Sequence, residues 1–449
     1  LLMGDASFDQ KNRAGLVDFV PAYETAASIN GLDTFVTDDF FGFFDENEGN
    51  IDASLADIGI GRFPIQTPEQ ASQLIDKIEQ YAAKSESTMQ PWRNVLTFVT
   101  DDDAGFVRDA EKIIDSLQMT FGVTDLVIDK IYLDAYNQES TPNGELAPEV
   151  NAAINNRMEK GTLVMNYIGH GGEVQLSEER ILQRKDVDSW HNGPMYPMMI
   201  TGTCEFSRYD DNTRTSLGEY SFLNPYGGMI AMFTTSRATF GDHNFDFILG
   251  IYHTLFGLNG GENQRIGDVY RRAKTSGYVK EKRYVLFGDP ALRINYPKWT
   301  VETVSMPDTI KALQPVEIKG VVKDLNGHLA SGYNGVVYVT VYDKESRLAT
   351  KGTATSVIEF NLFNSVVFNG KTDVVNGEFS INFTVPRDIS YRFGTGMVSY
   401  YATNYEVDAK GSKKDFVIGG FYEDAEEDME PPAIRLFVDD TLFVDGGIT

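Results

Sequence analysis

Cys204 is the one cysteine of this chain and stands in Thr-Gly-Thr-Cys-Glu-Phe-Ser, while His170 stands upstream in Asn-Tyr-Ile-Gly-His-Gly-Gly-Glu. A thiol becomes a strong nucleophile when a neighbouring base takes its proton, and imidazole is a common base for that purpose. Each of the two residues follows a largely apolar run, 163–168 before the histidine and 198–200 before the cysteine. Strands that end in a polar or glycine-rich turn place their last residues at the carboxyl edge of a parallel sheet, where open α/β folds keep their sites. Two neighbouring strands of this kind would present imidazole and thiol side by side, histidine first along the chain and cysteine second. An unpaired cysteine is more often a small buried apolar side chain. The Gly-His-Gly segment at a second strand end is what makes Cys204 a candidate nucleophile.

Acyl transfer also needs an oxyanion site and a group that orients the base. Gly169, Gly171 and Gly172 allow close backbone approach and leave amides free, and the amides of Gly171 and Cys204 are assigned to the oxyanion hole. Asp101, Asp102 and Asp103 end the apolar run 95–100 of the same expected sheet, so one of them is within reach of the distal nitrogen of His170. Glu173 and Glu205 flank the two candidates and compete for that role. At least two of the three aspartates read equally well as a solvated turn or as negative charge at a helix N-terminus. Asp38, Asp39, Asp45, Glu46 and Glu48 form a candidate calcium site. Their spacing matches no calcium loop, however, and a solvated loop is the preferred reading. A dinucleotide fingerprint fails because Pro64 follows Gly59 and Gly61 where a third glycine belongs. One cysteine and scattered histidines (His191, His243, His253, His328) cannot build a zinc site.

The elements that must position these residues follow from apolar spacing. Strands are expected at 1–3 and 58–60, and a helix at 68–83 with Thr67 as N-cap, Pro68 in its first turn and Gln70 completing a capping box. A fresh α/β unit begins at Trp92. Strands at 95–100, 130–133, 162–168, 198–201 and 228–234 alternate there with helices at 106–117, 148–160 and 245–258. The alternation implies a parallel sheet covered on both faces. After Pro297 the texture changes to short alternating runs such as 316–322 and 336–342, punctuated by Asn326-Gly327, Asn334-Gly335 and Asn376-Gly377. That reads as an antiparallel β-sandwich. The expected organisation is an α/β subdomain over 1–91, the catalytic α/β subdomain over 92–297, a β-sandwich over 298–421, and over 422–449 an acidic linker and the start of a further β domain.

Composition bounds the function. The 449 residues carry 66 acidic against 39 basic side chains, a net charge of −27, and are 42% apolar. Such a chain buries real cores and repels nucleic acid and anionic membrane. No run approaches the ~18 apolar residues of a membrane helix. The opening Leu-Leu-Met-Gly-Asp reads as the middle of a buried strand, so the numbering is expected to begin inside a larger protein.

On its two motifs, Tyr-Ile-Gly-His-Gly-Gly-Glu and Gly-Thr-Cys-Glu-Phe, the chain resembles the gingipain family of cysteine peptidases. Gly-Arg-Phe-Pro from Gly61, Asn-Pro-Tyr-Gly-Gly from Asn224 and Phe-Gly-Asp-Pro from Phe287 agree with that family. The stretch Cys-Glu-Phe-Ser-Arg-Tyr-Asp-Asp is similar to the gingipain-like sortases of the type IX secretion system. The resemblance implies a caspase-like α/β peptidase followed by an immunoglobulin-like domain, with Cys204 as nucleophile and His170 as acid/base. It places the family carboxylate at Asp101 or Asp102, and an aromatic overhang of the specificity pocket at Phe240, where gingipains have tryptophan. It further implies outer-membrane attachment at the cell surface of a Bacteroidetes-type bacterium and substrates carrying a C-terminal secretion domain. A PorV-like outer-membrane partner and anionic lipopolysaccharide as acyl acceptor complete the picture, with no cofactor required. Glu173 and Glu205, beside the catalytic pair, are candidate substrate contacts. A plain secreted endopeptidase and a degenerate peptidase domain serving as adhesin or scaffold are the alternatives.

Overall fold

Strands covered on both faces read as nearly unbroken apolar runs, and such runs form the centre of the computed structural model, which describes residues 1–26, 34–49, 54–142, 144–211, 213–257, 264–275 and 282–425. The first sheet holds β1 (Leu2–Met3), β2 (Arg62–Phe63), β3 (Val95–Thr100), β4 (Val127–Tyr132), β5 (Val164–Ile168), β6 (Met198–Gly202), β7 (Ala231–Thr235) and β8 (Tyr284–Phe287). Their spatial order is β1-β2-β8-β7-β6-β5-β3-β4. Strands β3 to β7 run parallel, as the alternation of elements implied. The far edge is reversed: β8 pairs antiparallel with β7, and β2 and β1 follow the direction of β8. Strands from the segment 1–91 therefore share a sheet with those of the catalytic segment.

The strand expected at 58–60 forms instead at β2, and Ile58 is exposed. A Cβ on Gly59 would lie 2.1 Å from the carbonyl oxygen of Gly267, and one on Gly61 2.3 Å from that of Gly288. Residues 59–61 thus run hard against two other backbone segments before the chain enters the sheet.

Helices α1 (Pro68–Ala82), α2 (Ala104–Asp115), α3 (Pro148–Lys160), α4 (Leu217–Leu223), α5 (Gly241–Tyr252) and α6 (Ile266–Thr275) cover the sheet. The capping box of α1 is present: Thr67 accepts from the Gln70 amide and Gln70 accepts from the Thr67 amide, both at 3.2 Å. Helix α2 starts ahead of its expected position because Asp103 caps it, accepting the Gly105 amide at 2.6 Å. Ile113 of α2, Ile251 of α5 and Val269 of α6 pack into the core on one face of the sheet. Leu74 of α1, Ile154 of α3 and Phe222 of α4 pack into the other. Because β4 lies on one side of β3 and β5 on the other, the chain reverses its direction of travel across the sheet between β3 and β5. Open α/β sheets bind ligands beyond the carboxyl ends of the strands at such a point.

Beyond residue 297 seven strands form a second sheet, backed by a three-stranded one. Burial alternates along Pro315–Lys323, with Val316, Ile318 and Val322 facing a separate core. Asn376 (φ 53°) and Gly377 (φ 83°) make the tight turn that the sequence pair implied. The pairing is not wholly antiparallel, since Trp299–Ser305 runs parallel to Asp408–Lys413. This β domain docks on the α/β unit through a buried ion pair, Arg93 to Asp408 at 3.0 Å. A hairpin, Ser346–Ala349 with Glu359–Leu362, also reaches across. Its Phe360 is buried in the α/β core, edge-on to Tyr132 at 4.8 Å. The expected strand opening a further domain near 433 and most of the acidic linker lie outside the described residues. No helix among the described residues is long and apolar enough to cross a membrane.

Candidate active site

Sheet register brings the two motifs together. Gly202 at the end of β6 pairs with Ile168 at the end of β5, so Cys204 and His170 each lie two residues past the same rung. Neighbouring strands lie about 4.8 Å apart. Beyond the rung the two loops stay joined, because the Gly169 amide donates to the Gly202 carbonyl at 3.2 Å. His170 is exposed and Cys204 half-buried, so both face solvent at the carboxyl edge.

The main chain of His170 is held at both ends. Its N–H donates to Asp101 Oδ2 at 2.8 Å. Its carbonyl accepts from the Tyr167 hydroxyl at 2.5 Å and from the Ser177 amide at 2.9 Å. The imidazole lies edge-on to Phe106 of α2, with ring centroids 5.3 Å apart. Asp101 therefore joins His170 as expected, but through the backbone and not the distal ring nitrogen. Its other oxygen accepts the Asp102 amide at 3.0 Å. Burial pushes the Asp101 carboxyl up to about 7, with the neighbouring Asp102 and Glu179 charges adding to the effect against its amide hydrogen bonds. Asp102 is half-buried and is also raised, first by desolvation and then by Glu179. Asp103 caps α2, the helix-terminus role expected for part of this cluster.

The glycines around His170 serve close approach and not unusual dihedrals. A Cβ on Gly169 would stand 2.4 Å from Asp101 Cβ and 2.6 Å from the Tyr167 hydroxyl, and one on Gly171 would stand 2.6 Å from Thr203 Oγ1. Only hydrogen at 169 and 171 lets the loop close on its neighbours, whereas Gly172 faces open space. Among the described residues the amides of Gly171 and Cys204 donate to no other group of the chain. These are the two donors assigned to the oxyanion hole.

Cys204 is pinned from the far side by the loop after β7. Its Sγ donates to the Thr239 carbonyl at 3.7 Å, while the Thr203 carbonyl accepts the hydroxyls of Thr235 (2.6 Å) and Thr239 (3.1 Å). Phe240, the next residue, is 56% exposed. Its ring sits under the Arg283 guanidinium at 5.6 Å and edge-on to His243 at 5.9 Å, one residue past the carbonyl that meets the thiol. Glu205 adopts a left-handed φ of 49° and donates its amide to Arg237 O at 3.3 Å. Glu173 is engaged elsewhere: Arg208 (3.0 Å) and Arg214 (2.9 Å) both pair with its carboxylate. It braces the loop after Cys204 and is not left open to substrate, against the expectation from its position.

The acidic stretch near residue 40 is also committed to structure. Asp38 pairs with buried Arg62 and Asp39 with buried Lys274, while Glu48 accepts the Asp45 amide in a local turn. Among the described residues no group of three or more His, Cys, Asp or Glu side chains is placed to hold a metal ion. Tyr167, Phe106, Glu179 and Thr239 are contributors that sequence reasoning passed over. Tyr167 lay inside the quoted histidine motif, and Phe106 lies in the first turn of a helix whose cap is Asp103. Glu179 and Thr239 carried no comparable signal.

Comparison with known proteins assigns the chain to a family. The model of peptidase family C25 matches residues 1–295. A crystal structure of the Arg-specific cysteine proteinase gingipain R (RgpB) superposes with a TM-score of 0.51 at 16% identity, over 92% of this chain and 82% of that one. The complex of RgpB pro- and mature domains from Porphyromonas gingivalis gives 0.50 at 17% identity, over 92% and 84%. Dimeric latent PorU from the same organism is 20% identical over 99% of this chain and 38% of its own length, with a TM-score of 0.38. No curated protein sequence matches the chain. The likeness to gingipain is one of fold, a caspase-like sheet followed by a β domain.

Proposed function

Because this chain belongs to peptidase family C25 and is a cysteine peptidase, we propose that Cys204 is its nucleophile, His170 its acid/base and the amides of Gly171 and Cys204 its oxyanion donors. The observation that carries the assignment is the β5–β6 register, which sets Cys204 and His170 at the same offset beyond paired residues. The Cys204 thiolate adds to a peptide carbonyl, and the negative charge that moves onto the carbonyl oxygen is met by the amides of Gly171 and Cys204. Collapse of the tetrahedral adduct breaks the C–N bond. The departing nitrogen takes a proton from the His170 imidazolium, leaving a thioester on Cys204. A second nucleophile, water or an amine, gives up a proton to His170, attacks the thioester and expels the Cys204 thiolate, restoring the thiolate–imidazolium pair. Asp101 supports this cycle by fixing the histidine backbone, and Phe240 borders the pocket for the residue before the scissile bond.

The finer reading is that of a sortase. The stretch Cys-Glu-Phe-Ser-Arg-Tyr-Asp-Asp after β6 resembles that of type IX sortases, and this resemblance supports a surface enzyme associated with the outer membrane. Its substrates would be cargo proteins bearing a C-terminal secretion domain, and its acyl acceptor an amine of anionic lipopolysaccharide. A PorV-like outer-membrane protein would hold it in place. The acidic surface, with its net charge of −27, disfavours nucleic acid as a partner.

Two measurements test the proposal in order. A peptidyl electrophile should label Cys204 at neutral pH, and Cys204→Ala should abolish both labelling and cargo cleavage while leaving the thermal unfolding midpoint within a degree or two. Cleavage that survives in Cys204→Ala would end the assignment. Mass spectrometry of the new cargo C-terminus then separates the readings, since a free carboxylate means hydrolysis and an amide-linked acceptor means transfer.

A further inference from the structure

The hairpin that the β domain sends across the α/β unit is bonded at its tip to the elements that frame His170. The Asp134 carboxylate, 1% exposed just beyond β4, accepts the amides of Gly352 (2.7 Å) and Thr353 (3.0 Å), and its carbonyl accepts the Lys351 amide at 2.8 Å. The Thr355 hydroxyl accepts the amide of Ala104, the first residue of α2, at 3.0 Å. Arg108 of the same helix donates to Ser356 Oγ at 2.6 Å. Ala104 stands two residues after Asp102, and Phe106, whose ring meets His170, lies within the same helical turn of about 5 Å. The tip is thus fastened to the turn of α2 whose Phe106 ring meets the His170 imidazole, while the side chains of Thr353, Ala354 and Val357 stay exposed.

The side on which it lies has a chemical meaning. Across the sheet the order is β6 with the nucleophile, β5 with the histidine, then β3 and β4. The group that protonates the leaving amine stands on the leaving-group side of the thiol, so the residues following the scissile bond depart over β3 and α2. That is where the hairpin tip is anchored.

We propose that residues 353–357 form a wall of the cleft for the substrate residues that follow the scissile bond, so that the β domain takes part in choosing the leaving segment. The inference rests on the peptidase assignment above. The wall therefore takes an extended leaving segment, which runs alongside the exposed side chains of 353–357.

Peptides with one sequence before the scissile bond and either Glu or Lys in the three positions after it distinguish this. They are compared, in the intact chain, with a coumarin amide that has no residues after the bond. Thr353→Lys/Ala354→Lys should shift the ratio of kcat/KM on lysine peptides to that on glutamate peptides at least tenfold toward glutamate. The single variant Ala354→Lys should move it in the same direction, and neither should change hydrolysis of the coumarin amide by more than about twofold. An unchanged ratio in both variants, or an equal loss on all three substrates, overturns the proposal. If the unaltered chain cleaves none of them and Cys204 resists the electrophile, the peptidase assignment fails and this inference goes with it.

Discussion

Asp101→Asn separates two ways in which a carboxylate can serve a catalytic histidine. Asp101 is 2% exposed, and its two oxygens accept the amides of His170 and Asp102. Burial outweighs those hydrogen bonds and lifts the group from 3.8 to about 7. A carboxyl so displaced favours its protonated form in the folded chain by roughly 4 kcal/mol. The folded state therefore keeps this proton while the unfolded state loses it, between about pH 4 and pH 7. Over that window the group makes folding progressively less favourable as pH rises, and above it the loss is complete. Asparagine does not ionise and removes the slope. Its amide oxygen can still accept the His170 amide, but its –NH2 faces the Asp102 amide, a mismatch worth about 1–3 kcal/mol.

The variant should consequently be less stable than the parent near pH 4 and level with it or more stable at pH 8. Urea denaturation followed by tryptophan fluorescence reads this directly, since Trp92 and Trp190 are buried in the two α/β cores. Taking the difference between the two proteins cancels other buried acids, such as Asp5, which is also lifted to about 7. A stability gap that stays constant from pH 4 to pH 8 would refute the reasoning. Activity supplies a second reading of the same variant. If Asp101 acts by holding backbone, kcat falls less than about tenfold; a loss on the scale of ~10⁴ would mean that its charge orients the imidazole itself.

Two further predictions follow from packing. Gly171→Ala would place a methyl 2.6 Å from the Thr203 hydroxyl, so the loop must move and carry its amide with it. We expect kcat to fall by about 10²-fold with little change in KM. Adding Thr203→Ala should restore part of the loss, and a single variant with parental kcat would remove Gly171 from the oxyanion site. Arg237 and Asp210 form an ion pair with neither side chain exposed. Arg237→Met leaves a buried unpaired carboxylate and should cost about 3–5 kcal/mol in chemical denaturation, whereas Arg237→Met/Asp210→Leu should recover most of it. Equal losses in the single and double variants would contradict that account.

What the chain announced and what it concealed divide along the range of the interactions. The capping box at Thr67, the bounds of α3 and the Asn376-Gly377 turn depend on neighbours a few residues away, and each formed as its local chemistry required. The juxtaposition of His170 and Cys204, the proposed catalytic pair, was legible because strand ends in a parallel sheet converge whatever the intervening sequence. The role of Asp101 was harder to read. A carboxylate beside a histidine suggests a bond to the ring, and only the approach of β3 to the 169–170 backbone, made possible by a glycine with no room for a Cβ, shows that it bonds the main chain. Glu173 misled for the related reason that adjacency along the chain says nothing of Arg208 and Arg214, which fold back onto it.

The β domain carries the argument furthest. Its alternating pattern accounts for a core of its own, with Val316, Ile318 and Val339 facing inward. Nothing in that pattern accounts for Phe360, which leaves this core to fill a space beside Tyr132 in the α/β unit, or for Asp134, buried and spent on three amides of the hairpin tip. A buried carboxylate is costly to place where it serves only attachment, and Arg93–Asp408 and the Asn94 contacts already join the two units. These additional contacts hold the hairpin tip in one position, and that position is the edge of the sheet where the leaving segment must pass. A stalk would require a firm joint at the base of the sandwich. A tip fixed on the helix that packs against the proposed catalytic histidine is what a substrate wall requires.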